Sequence, residues 1–174
     1  AASYSTILAP MSAAPSPDLD ALLARLDRLS HSERLQAAAA FALAHREHPA
    51  LPATIERLIA GDAHAGELAV VMAHAVHHVA TLRRAVTHAS LRVRRLAIAG
   101  LVQLADHVAD GPDLADLALN LPPALRRDLV KSLVRHGRRA DGRRLFPLLL
   151  ARCGPRDATL LLPVLEDSTL RAHL

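Results

Sequence analysis

Apolar side chains along this chain fall on the 3.6-residue period of helices, in stripes separated by Gly, Pro and polar breaks. Leu19, Leu22, Leu23, Leu26 and Leu29 form the first stripe, with Ser16 or Asp18 placed to cap it. Ser30 and Glu33 have the spacing of a capping box and open a second helix through Leu35, Ala38 and Phe41 to about Ala44. Pro52 suits the first turn of a third helix, which carries Ile55, Leu58 and Ile59 and stops at Gly61. A fourth is expected over about 65–79 and a fifth over about 81–88. Ser90 caps a sixth through Val93, Leu96, Ala97, Leu101 and Leu104. The seventh starts at Gly111-Pro112-Asp113 and ends near Asn120, and the eighth runs from Pro122-Pro123 to Gly137. A ninth covers Arg143–Arg152 with Pro147 in or near its first turn; a tenth follows Gly154-Pro155 to about Glu166, and residues 168–173 begin another. Residues 1–17 are rich in Ala, Ser and Pro and read as a flexible tail, with Met11 a candidate native start and the residues before it a remnant of expression. Residues 18–174 read as one domain.

The stripes recur. Val93-Arg94, Ala97 and Leu101 are echoed 32 residues later by Leu125-Arg126, Leu129 and Leu133, then more weakly by Asp157-Ala158, Leu161 and Leu165. The preceding segments repeat as well: Leu82, Ala85 and Val86 map onto Leu114, Leu117 and Ala118, then onto Phe146, Leu149 and Leu150. Arg34, Ala37 and Phe41 fit the same template, as do Ile55 and Ile59 followed by Val71 and Ala75. A period in this range marks stacked supersecondary units, none of which buries its apolar stripe alone. The expected architecture is all-α, with ten helices pairing into about five hairpins.

The Val-Arg-x-x-Ala-x-x-x-Leu run at Val93–Leu101 resembles the second-helix pattern of HEAT-like repeats, and the period and helix–turn–helix grammar agree. The resemblance covers most of residues 18–166 and implies a right-handed α-solenoid, first helices outside and second helices lining a concave face. It also implies that Arg94 and Arg126 are structural repeat positions, hydrogen-bonded to loops of neighbouring repeats. Armadillo or tetratricopeptide arrays are the alternatives; the latter need Trp, Tyr and Gly positions that are absent here. The chain runs out after its fifth hairpin without a polar capping helix, which points to part of a longer protein or to an end covered by a partner.

Composition sharpens this picture. Half of the chain (51%) is apolar but only 2% is aromatic, so the core is built from Leu, Ala and Val. No apolar run approaches the ~18–20 residues that span a bilayer, and no secretory leader is evident, so no membrane partner is expected. A single Cys153 excludes an internal disulfide and a four-Cys zinc site, and a cytoplasmic setting is expected. The charge is uneven: residues 83–156 hold 15 basic and 6 acidic side chains, a local +9, against a net +4 for the whole chain.

That basic region carries the candidate interaction site. Arg92 and Arg95 lie on the sixth helix, Arg127, Lys131 and Arg135 form an i, i+4, i+8 stripe on the eighth, and Arg138 and Arg139 follow at the next turn. On the concave face these residues would form a track for an acidic protein or for phosphates. The competing reading is a solvated face, with the arginine stems lying over the helices.

His74, His77 and His78 have the spacing of one helix face and invite a metal. No carboxylate adjoins them, and the His-Glu pairs of HEAT-like di-iron hydroxylases are missing, so solvated or interface histidines are the expectation and no cofactor is assigned. Cys153 between Arg152 and Arg156, with His136 the nearest candidate base, reads as a packed small hydrophobe. Base-directed chemistry like that of HEAT-like glycosylases is excluded by the absence of Trp and the lone Tyr4. The expected function is a noncatalytic interaction scaffold with a protein partner; the alternative is a module that binds nucleic-acid backbones without regard to sequence.

Overall fold

A computed structural model describes residues 19–107 and 113–165. The expected tail over 1–17 and the extra helix over 168–173 lie outside them. The described residues are helical, without a strand: α1 (Leu19–Ala24), α2 (His31–Ala44), α3 (Leu51–Ile59), α4 (Ala63–Ala75), α5 (Val79–Ala85), α6 (Leu91–Leu104), α7 (Leu114–Asn120), α8 (Pro123–Arg135), α9 (Arg139–Cys153) and α10 (Pro155–Ala158). Two 3₁₀ segments, Arg25–Arg28 and Thr159–Val164, continue α1 and α10. Among the described residues, no helix is long and apolar enough to cross a membrane.

Local chemistry sets most of the boundaries. Ser30 and Glu33 form the capping box of α2. Asp62 caps α4 by accepting from the Ala65 N–H at 2.8 Å, and Asp113 caps α7 from Ala115 at 2.9 Å. The chain leaves α4 earlier than its apolar pattern suggests. His78 N–H donates to the Ala73 carbonyl and His77 N–H to that of His74, a Schellman stop that places His77 at φ 58°. The expected single face of His74, His77 and His78 is therefore broken: His74 ends α4, His77 occupies the turn, and His78 precedes α5. In the opposite sense, α9 begins at Arg139 rather than Arg143, and Pro147 lies well inside it. Asp141 accepts from Arg138 Nε at 2.7 Å over the first turn, and buried Leu145, Phe146 and Leu149 hold the helix through the proline.

Packing follows two orders. Along the chain, α3 lies on α4, α5 on α6, α7 on α8 and α9 on α10. Across it, α2 packs on α4, α4 on α6, α6 on α8, and α8 on the 3₁₀ segment Thr159–Val164. Many of the echoed positions lie in the core of these contacts, whereas Ala37, Phe41, Ala75, Leu117 and Leu165 are only partly buried against it. Val93, Ala97, Leu101, Leu129, Leu133, Leu82, Ala85, Leu149 and Leu161 are all 0% exposed. Each such leucine contributes on the order of 2 kcal/mol by leaving water. Leu150 departs from its echo and is exposed, on the outer flank of α9. Gly66 lets α4 approach α6: a Cβ there would lie 3.0 Å from Val93 Cγ2 and 3.1 Å from His88 Nε2.

The α8 terminus repeats the stop of α4 with a better residue. Arg138 N–H donates to Leu133 and Gly137 N–H to Val134, with Gly137 at φ 62°. His77 therefore carries a left-handed strain that Gly137 avoids. Replacing His77→Gly is expected to raise stability by about 0.5–1 kcal/mol, and Gly137→Ala to lower it by about 1 kcal/mol. Urea midpoints at unchanged slope check both.

Candidate interaction surface

The cations expected to bind a partner are largely held by carboxylates of the same chain, about one period away in sequence. Arg95 Nε lies 2.7 Å from Asp128 Oδ2, 33 residues on. Arg127 Nε donates to Asp157 Oδ1 at 3.0 Å, across 30 residues. Arg138, at the α8–α9 turn, bonds Asp141 and reaches back 32 residues to Asp106. Arg144 meets Asp113 at 3.1 Å, 31 residues before it. Arg92 Nε pairs with buried Glu67 Oε1 at 3.0 Å and also touches His31, so α2, α4 and α6 meet in one polar junction.

Lys131 and Arg135 differ from these. They stand on α8 beside Arg95 and Asp128, lining a hollow of about 190 Å³ between α6 and α8 floored by Ile98 and Ser132. Neither forms an ion pair among the described residues. Arg139, the first residue of α9, is likewise exposed without one. The hollow thus brings together three of the expected cations, Arg95, Lys131 and Arg135. Arg127, the head of their stripe, is drawn off to Asp157, and Arg138 is engaged at a separate turn.

Arg94 and Arg126 occupy echoed positions but have different surroundings. Arg126 donates from Nε to the Ala118 carbonyl at 3.1 Å and from Nη2 to that of Leu121 at 3.0 Å. Both carbonyls belong to its own hairpin, rather than to a neighbour's loop. Its Nη1 reaches Asp157 Oδ2 at 3.2 Å. Asp157 is 5% exposed, in the place that Val93 and Leu125 fill with apolar side chains. Burial alone would raise its carboxyl pKa, but hydrogen bonds from Arg127 and Arg126 and their charges outweigh this and hold it below its usual value. Arg94 has no comparable partners, and its buried Nε makes no hydrogen bond.

Among the described residues, no group of three or more His, Cys, Asp or Glu side chains could hold an ion. Burial lowers the pKa of His74 and nearby His77 adds to this, against a hydrogen bond with Gln103. His78 Nδ1 contacts Thr81 Oγ1 at 2.6 Å, and Thr81 in turn donates to Glu56. His136 Nε2 faces Gln103 at 3.5 Å, and Cys153 is half-buried at the end of α9.

Counting the basic region by itself missed the acids that answer it, above all Glu67 and Asp157. The signal was present in the spacing, since most partners stand 30–33 residues apart. No protein-family model, curated protein or solved structure matches the chain.

Asp157→Asn keeps the shape and removes the charge shared by Arg126 and Arg127. It is expected to cost about 2 kcal/mol at neutral pH. Because the folded carboxyl titrates below the unfolded value near 3.8, its contribution is complete above that pH and disappears as pH falls through the folded value. The stability difference between the two proteins should therefore shrink as pH falls below about 4 and be lost once the folded carboxyl is protonated, as read from urea titrations at each pH.

Proposed function

We propose that the chain is a HEAT-like, right-handed α-solenoid of about five helical hairpins that binds an acidic protein through the face of its second helices, without catalysis. The consecutive packing of α2, α4, α6 and α8, with α3 beside α5 and α7 beside α9, supports a stacked array. The observation that carries the binding site is the hollow between α6 and α8, where Lys131 and Arg135 stand without an ion pair among the described residues beside the Arg95–Asp128 pair. Arg139 adds charge at the next turn.

An acidic protein fits this surface better than a nucleic acid does. A duplex is followed along many phosphates, and affinity depends on how many counterions the protein's cations release. Here Arg92, Arg95, Arg127 and Arg138 already hold carboxylates, so the free cations are local rather than a continuous track. Arginine and lysine in a shallow hollow beside apolar Ile98 and Ala99 suit one or two acidic anchors on a folded surface.

The double charge reversal Lys131→Glu, Arg135→Glu tests the reading. Binding of a fluorescent glutamate-rich peptide, as surrogate for an acidic surface, should weaken at least about tenfold while helical circular dichroism is unchanged. Duplex DNA should give no shift at 150 mM salt, about physiological strength. Equal peptide affinity of the two proteins would refute the site; a DNA shift with a steep salt slope would replace it with the backbone-binding reading.

A further inference from the structure

The chain contains its own comparison for Arg94. At the echoed position, Arg126 sits beneath two carbonyls and an acid, because Asp157 opens the next phrase. For Arg94 the corresponding residue is Leu125, 3% exposed and unable to accept. The Arg94 side chain makes no hydrogen bond or ion pair with any described residue, and its Nε is shut away from water. A guanidinium held in this way lacks the counter-charge that its counterpart receives.

It does not lack space for one. Arg94 lines a groove of about 400 Å³ with Arg83 and Asn120, between walls formed by Val86, Leu117 and Leu121. The groove exists because α5 and α7 make at most glancing contact, whereas α3 packs on α5 and α7 on α9. Among the described residues, no acidic side chain lines it. Asp113 and Asp116 lie in an adjoining hollow that Arg83 borders and Arg94 does not. Asp113 is moreover committed to the α7 cap and to Arg144. The groove is also separate from the α6–α8 hollow, which Arg95 lines from another flank of the same helix.

We infer that this groove binds an extended peptide segment of a partner, an acidic side chain of which pairs with Arg94 in the role that Asp157 plays for Arg126. Arg83 adds a second positive charge at the rim, Asn120 offers an amide to the peptide backbone, and the apolar walls take the neighbouring side chains. The mostly apolar lining favours a singly charged carboxylate flanked by aliphatic residues over a doubly charged phosphate. This inference is independent of the site around Lys131 and Arg135.

The probe is acetyl-Ala-Leu-Asp-Leu-Ala-amide, titrated into the full chain while backbone amides are followed by NMR, with the Asn-for-Asp peptide as control. The Asp peptide should shift amides around Arg83, Thr87, Arg94 and Leu117, and the Asn peptide should bind at least about tenfold more weakly. Arg94→Met should abolish the shifts without lowering the urea midpoint, since no internal partner is lost. The Lys131→Glu, Arg135→Glu protein should bind the peptide like the unsubstituted chain, so failure of either site is read separately. Equal binding of the Asp and Asn peptides would overturn the inference. So would shifts that survive Arg94→Met, or a loss of stability in that variant showing that Arg94 is an internal strut.

Discussion

A core almost without aromatic rings must gain its stability from close approach. Leucine, alanine and valine fill small volumes, so each helix has to lie against several others to shed enough water. The fully buried leucines of α6 and α8 and the alanines between them, such as Ala97, meet this requirement only because neighbouring helices lie in contact on both sides. Gly66 shows how narrow the tolerance is, since a single methyl there would collide with Val93 and His88. The polar features described above are arranged around this apolar contact.

The buried charges illustrate the dependence. Glu67 and Asp157 sit in positions where water cannot solvate them, and each survives because arginines from adjacent helices reach it. These pairs cross from one helix of the packing order to the next, so they fix register between helices as well as neutralising charge. The same arrangement limits what the basic region can offer to a partner. Arg92, Arg95, Arg126, Arg127, Arg138 and Arg144 within the stretch of nine excess charges are engaged by internal carboxylates, whereas Lys131 and Arg135 on α8, Arg94 on α6 and Arg139 on α9 form no ion pair among the described residues.

Helix content and the inward stripes were legible in the sequence because both follow from short-range periodicity. The capping box at Ser30 and Glu33, the proline start of α3 and the buried phrase from Val93 to Leu101 all read directly. Boundaries that depend on a competing local motif were not legible. The Schellman stop after α4 uses a histidine where glycine is usual, so nothing flagged the break that separates His74 from His78. The early start of α9 depends on Asp141 meeting Arg138, which outweighs the warning given by Pro147. Within the candidate site, the stripe of Arg127, Lys131 and Arg135 was visible as a helical spacing. Its division into bound and free members was not, because a carboxylate 30 residues distant decides it.

The uneven contact between α5 and α7 has a mechanical consequence. On one side of this seam α6 and α8 pack through buried leucine and alanine, while on the other the outer helices scarcely meet. Two slabs fastened along one edge flex like the covers of a book about its spine. Bending there costs little apolar contact, and its direction widens or narrows the gap between the covers.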